Sequence, residues 1–379
     1  LSNDLDWIKS EQLPDRRKGA NKDEKVRDFK RSYRSLAERI GHPLDHALER
    51  RRAVLPADLS SSDRLDTFCR SVCNYQASRL QSEFDADDML RNLAAPRPPA
   101  ALLAPYFYTE PRALHDWLTL NLRLMNASAS LKLEIPVHGL LCADVDQLSD
   151  PTFLGKVRDG VIASGVSGIW LWFSRFFEDQ ATPAQLAAFT KLVRALSERM
   201  LVFNMHGGFF SLACAKLGLA GISHGIGYGE QKDVIPVIGQ STPTVRYYLP
   251  PLGKRLGVPE IERCFPALGI NTPADFQEKV CSCVVCKGVV ANTLADFSSF
   301  GDLHYSTAQS KKQAQTPAAA KRCRFHFLLS RIRERDLVRT ASLTDITSAL
   351  NAALNTWGRQ PTLQRFSDHL GHWSTALGA

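Results

Sequence analysis

Two stretches decide the fold: EIPVHGLL at residues 134–141 and SGIWLWFS at residues 167–174. Each is a near-continuous apolar run bounded by turn-forming residues. A strand with one wet face alternates polar and apolar residues; a strand covered on both faces does not. Runs of this kind recur. ALLAPYFY (101–108), RMLVFNMHG (199–207), GISHGIGYG (221–229) and TVRYYLP (244–250) belong to the same series. Between them lie helical patterns such as LHDWLTLNLRLM, DPTFLGKVRDGVIAS and TPAQLAAFTKLVRALSE. Strand then helix, repeated, predicts a parallel sheet covered by helices. The repeat length suits an α/β fold of the (β/α)8 TIM-barrel type, with a doubly wound open sheet as the alternative.

Around this body the character changes. Residues 1–98 are charged and helical in pattern, and APRPPA (95–100) breaks the chain after them. The barrel body is expected over 99–262, a zinc-binding subdomain over 263–335, and further helices over 336–379. The 379 residues carry a net charge of +8, with 44% hydrophobic and 23% charged residues. That composition supports a sizeable core and rules out wholesale disorder. The positive excess favours a polyanionic partner, though a basic protein without one has the same composition. No apolar run approaches 18 residues, so no membrane partner is expected. Nine irregularly spaced cysteines fit reduced thiols and a cytoplasmic location.

VCSCVVCKG (280–288) places Cys281, Cys283 and Cys286 within six residues. C-x-C-x-x-C delivers three thiolates from one tight turn, as a tetrahedral, structural Zn2+ site requires. The fourth donor lies elsewhere: Cys264, His304, Cys323 and His326 are candidates. His326 is favoured because it opens an apolar helical stretch, FHFLLSRIRERDL, and His304 comes second. The bland alternative is three small buried thiols.

The expected strand ends carry polar groups: His138, Ser174, Arg175, Asn204, His206, His224, Tyr228, Glu230, Arg246 and Tyr247, with Lys254 and Arg255 further on. In a β/α barrel such ends line the active site. Each alone is as well read as a satisfied structural group. Gly227 and its neighbours allow a flat ligand close approach, or simply make tight turns. GIGYGE is no phosphate loop, since no G-K-[ST] follows.

Taken together, GIGYGEQKDV (225–234), VRYYLPPLGK (245–254) and CSCVVC (281–286), with His326 at a helix head, resemble the tRNA-guanine transglycosylases. Their relatives that insert 7-deazaguanines into DNA share the plan. The resemblance spans roughly residues 100 to 335. It implies that an aspartate attacks the sugar's anomeric carbon and displaces guanine, giving a covalent glycosyl-enzyme. A 7-deazaguanine then takes the sugar back. It also implies a flipped purine base in the pocket, bound by Asn204, His206, His224, Gly227, Tyr228 and Glu230. DNA or tRNA phosphates would meet Lys254, Arg255, Arg322 and Arg324, and a partner protein or a homodimer would fit the plan. APYFYTE (104–110) resembles the strand carrying a base-reading carboxylate, which would make Glu110 catalytic. The chain departs from the family in two places. It has no D-S-G-G-F-type turn, and IERCFPALG (261–269) has no aspartate where the nucleophile would sit. Asp233 and Asp275 are the nearest substitutes. Two other readings follow: a non-catalytic nucleic-acid-binding relative, and a barrel hydrolase or lyase using His138, His206 and His224 with a carboxylate.

Overall fold

The computed structural model describes residues 31–86, 98–226, 233–234, 246–305 and 313–379. The chain forms two compact units that interleave along the sequence. One takes the described residues within Leu1–Arg175, Glu198–Phe203 and Lys232–Gly239; the other takes those within Phe176–Ser197, Asn204–Gln231 and Gln240–Ala379.

The first unit begins with helices α1 (Arg31–Ile40), α2 (Leu44–Glu49) and α3 (Ser62–Ala86). These helices pack into the unit's core. Leu44, Ala47, Leu59 and Phe68 share one buried cluster with Phe107, Trp117 and Leu124. The chain then enters β1 (Leu102–Leu103), β2 (Tyr108–Thr109), α4 (Leu114–Ser130), β3 (Val137–Asp144), α5 (Pro151–Ala163) and β4 (Gly168–Ser174). After an excursion through α6 (Pro183–Ser197), β5 (Leu201–Asn204) follows. β1 and β2 both pair parallel with β3, and β3 pairs parallel with β4 from His138↔Gly168 to Asp144↔Ser174. β5 lies beside β4.

All eight residues of β3 are buried, which is why its sequence shows no alternation. At Gly139 a Cβ would lie 2.8 Å from Met125 Sδ and 2.9 Å from Ile169 Cδ1, so glycine lets α4 approach β3 closely. Asn121, fully buried on α4, bonds both backbone groups of Phe107, at 2.8 Å to its N and 2.9 Å to its O. It thereby satisfies backbone that no strand partner reaches. The parallel α/β sheet is as expected. Among the described residues its strands do not close on themselves, so the eight-stranded barrel is not formed by these strands alone.

In the second unit, α7 (Phe209–Ala213) and β6 (Leu219–Ile222) lead to the antiparallel hairpin β7 (Tyr247–Leu249) and β8 (Lys254–Leu256). The hairpin turns at Gly253, whose φ of +63° favours glycine. Next come α8 (Val258–Glu262), α9 (Pro273–Lys279), α10 (Val284–Val289) and the hairpin β9 (Leu303–Tyr305) with β10 (Gln313–Gln315). The chain ends in α11 (Pro317–Thr340), α12 (Leu343–Gly358) and α13 (Pro361–Gly378). α12 and α13 form a helical hairpin, and α13 also packs on α6. No helix of the described residues is long and apolar enough to cross a membrane.

Two stability measurements check this packing. Asn121→Ala strands the Phe107 backbone groups and should cost about 2–4 kcal/mol, read as a lower urea midpoint. His369 on α13 bonds Leu252 O at 2.8 Å, and burial, aided by the charge of Lys254, pushes its pKa down to about 4. The fold therefore holds the neutral ring. Its contribution is complete above an ordinary histidine's pKa of about 6.5 and is lost as pH falls from there toward 4, about 3 kcal/mol in all. His369→Gln should flatten that acid-side decline.

Candidate functional site

Cys281, Cys283, Cys286 and His326 are all buried, and their ligand atoms lie within 4.8 Å of one another. His326 Nδ1 is 3.7, 3.5 and 3.3 Å from the three sulfurs. A tetrahedral ion with Zn–S and Zn–N bonds of ordinary length needs an S···N edge of about 3.6 Å. The four donors therefore stand at ligating distances for such an ion.

Local hydrogen bonds explain how the cysteine turn holds this shape. Cys283 N–H donates to Cys281 Sγ and Cys286 N–H to Cys283 Sγ, both at 3.4 Å. Cys283 thereby caps α10 with sulfur. On the other side, His326 Nε2 lies 2.7 Å from the Tyr248 carbonyl. A carbonyl only accepts, so Nε2 carries a proton, which leaves Nδ1 as the ring atom facing the sulfurs and the one that could bind an ion. Tyr248 pins α11 twice, since its hydroxyl also donates to Glu334. The Tyr247 hydroxyl is 3.1 Å from Cys286 Sγ, and its ring stacks on His326 at 4.1 Å. Phe297 and Phe300 pack edge-on against Tyr247 and keep water out.

The thiol form shows the electrostatic demand of this cluster. Hydrogen bonds from Cys281 and Cys286 drive the Cys283 thiol far below its ordinary pKa, while hydrogen bonding with Cys281 and Cys283 drives Cys286 far up. Three thiols this close cannot all ionise unaided. A dication removes that competition. Burial lowers the His326 pKa, but bonds with Cys281 and Cys283 outweigh it and raise it to about 9. Arg333 Nη1, 3.8 Å from Cys281 Sγ, offsets part of the thiolate charge.

The other proposed fourth ligands lie elsewhere. His304 is exposed on β9, Cys264 donates to Glu260 O, and Cys323 donates to Phe300 O.

A separate cluster lies at the C-terminal ends of the parallel strands of the first unit, where open α/β sheets bind ligands. Asp144 ends β3 and is 6% exposed. Both of its oxygens accept from Arg175 Nη2 at 2.7 Å, and the Tyr108 hydroxyl donates to it at 3.3 Å. Arg175 follows β4 directly and has φ +65°, a left-handed conformation that costs a non-glycine residue energy. Ser174 Oγ donates to Asp233 at 3.1 Å and accepts from Val234 N–H at 3.0 Å. Two carboxylates, Asp144 and Asp233, thus flank Arg175, whose pKa both raise. The sequence pattern does not single out Asp144. Its only local signal is a carboxylate at the end of an apolar run.

The remaining expected site residues separate. Asp275 is exposed and accepts from Asn271 N–H, Thr272 N–H and Thr272 Oγ1, which is the work of a helix cap. That geometry speaks against a catalytic role for it. Glu110 precedes a short helical turn after β2. Asn204 is buried and spends its amide on Ser211 Oγ at 2.7 Å. The Gly208 turn bends close around Glu178, whose carboxylate accepts from Gly208, Phe210 and Ser211 N–H. His206 adopts φ +60°, and its N–H faces Ser223 Oγ. His224 Nδ1 is 2.7 Å from Gly225 O. His138 sits at the opening end of β3, under the Trp170 indole at 3.3 Å and against Phe203. That is the wrong end of the strand for a barrel-mouth histidine. Lys254 is half-buried, Arg255 lies over the Phe327 ring at 4.1 Å, Arg322 bonds Ser299 O, and Arg324 is exposed. Gly227, Tyr228 and Glu230 lie outside the described residues.

No family model matches the chain, and no curated protein matches it. The chemistry therefore rests on the geometry.

A four-donor cluster that could hold an ion is open to a direct test. The purified chain should carry one ion, and Cys283→Ser should lose it and lower the melting temperature, by elemental analysis and a thermal scan. Tyr247→Phe keeps every ligand but removes the hydroxyl beside Cys286. It should weaken metal retention about tenfold in a chelator competition.

Proposed function

We propose that the protein is a zinc-braced, transglycosylase-like enzyme that exchanges a guanine for a 7-deazaguanine in DNA or tRNA. The observation that carries this reading is the convergence of Cys281, Cys283, Cys286 and His326 in a chain that also folds a parallel α/β sheet with carboxylates at its strand ends. Cys3His suits zinc through its thiolate-rich donor set. With all four positions filled by protein, the ion would be structural. The eight-stranded closure of the barrel belongs to this proposal as well.

Within it, the reacting carboxylates are sought at the ends of β3 and β4. Asp233, held by Ser174 through one oxygen, is taken as the nucleophile, and Asp144, held by Arg175 on both, as the orienting carboxylate. In the first step an Asp233 oxygen bonds to the sugar's C1′ as the bond from C1′ to guanine N9 breaks; the electron pair stays on N9, which takes a proton from water. The incoming 7-deazaguanine gives its N9 proton to the hydroxide so formed, its N9 bonds to C1′, and the bond from C1′ to the Asp233 oxygen breaks and frees the carboxylate. Asp144, oriented by Arg175 and Tyr108, sits beside it as a group that accepts hydrogen bonds from the base.

The same ion pair favours a second reading. A carboxylate held on both oxygens by one guanidinium is fixed in place rather than turned toward a substrate, which suits a relative that binds nucleic acid without exchanging bases.

Labelled guanine or 7-deazaguanine precursor, incubated with tRNA or duplex DNA, separates the two. Incorporation that falls about 1,000-fold or more in Asp233→Asn supports the enzyme. Absence of label in either polymer sinks it and leaves the binding protein.

A further inference from the structure

Helix α11 has two faces with different work. Cys323, His326, Phe327, Ser330, Glu334 and Val338 are buried, and His326 reaches the cysteine cluster. The opposite face should be wet and polar, yet Phe325 is 48% exposed and Ile332 46%. At 100° per residue, Lys321, Phe325, Leu329 and Ile332 fall along one line of the helix, and Arg324 and Arg335 run beside it. The helix carries seven basic residues against two acidic ones, a net of +5. The Lys321 ammonium lies 5.6 Å from the centre of the Phe325 ring. Among the described residues Arg335 pairs with its neighbour Asp336, both about half exposed, and a pair of that kind is worth little in water.

We infer that this face of α11 binds a single-stranded nucleic-acid segment: an unpaired base stacks on Phe325, and phosphates meet Lys321, Arg324 and Arg335. The inference rests on the nucleic-acid partner proposed above and names the surface and the form of the polymer. An aromatic ring between cations is the recurrent arrangement for unpaired strands, because every base offers a π-face and every linkage a charge. A duplex keeps its bases stacked internally and would leave Phe325 and Ile332 in water. An anionic membrane asks for a broad apolar stripe. Here the large apolar groups occupy only the middle turns, and Lys321, Asp336 and Arg339 hold the ends of the same line. Because His326 follows Phe325 directly, the metal centre fixes the rotation of the helix that presents the ring.

The test is fluorescence anisotropy of a labelled single-stranded oligonucleotide with the full, metal-loaded chain, across a salt series. The wild type should bind with log K falling linearly with log salt. Phe325→Ala should weaken binding about tenfold with little change in slope, and Phe325→Tyr should restore it. Arg324→Ala should reduce the slope by about 0.7, one phosphate contact on a single strand. Circular dichroism establishes that each variant folds. Three outcomes overturn the inference: both alanine variants binding as wild type, a duplex binding as tightly with the same Phe325 dependence, or vesicles of anionic phospholipid binding where the oligonucleotide does not. Its failure is separable from that of the enzyme proposal. Base exchange with a silent Phe325→Ala removes this surface alone. Stacking-dependent binding without exchange removes the enzyme alone.

Discussion

One imidazole ties the second unit together. His326 gives its Nε2 proton to the Tyr248 carbonyl on β7 and turns Nδ1 toward three cysteine sulfurs from a separate turn. Three elements distant in sequence meet on one ring: a strand, a helix and a thiolate loop. Such a contact is strong when a cation completes it and costly when it does not, since buried thiols compete for one negative charge. The surrounding aromatic groups follow from the same constraint. Tyr247 stacks on the ring and offers its hydroxyl to Cys286, and Phe297 and Phe300 close the gap around it. What the metal would organise is thus the orientation of α11, not only the loop.

The first unit obeys a different rule. β3 is buried along its whole length, so polar groups can reach solvent only where it ends. Asp144 is placed there, and its burial is tolerable because Arg175 and Tyr108 supply donors. Arg175 reaches it from a left-handed backbone one residue past Ser174, the β4 residue paired with Asp144. Strain at that point is the sign of a geometry held by its surroundings rather than by local preference.

Several buried or capping polar residues, the expected site residues Asn204 and Asp275 among them, hold the fold. Glu178 gathers the backbone N–H groups of the Gly208 turn, and Asn204 bonds Ser211 beside them. Asn121 does the same for Phe107. Asp275 carries its own explanation in the sequence: T-x-x-D at 272–275 before an apolar residue is a capping box, and the structure uses it so. That local signature outweighs a catalytic reading drawn from distance along the chain.

Sequence alone was enough for what short-range chemistry dictates. The apolar runs at 134–141 and 167–174 named two buried parallel strands, and three cysteines within six residues named a clamp that could hold an ion. His326, the favoured fourth donor, joins them from the middle of α11 rather than from a helix head, and the run at 244–250 folds into an antiparallel hairpin. Each is legible because period and spacing are properties of neighbours in the chain. The tertiary structure decided the rest. Only folding brings Arg175, Tyr108 and Asp144 together from positions 31 and 36 residues apart, and only it lays Ser174 against Asp233 across 59. It also exposed Phe325 while burying its neighbour His326, because packing, not composition, decides which face of a basic helix meets water.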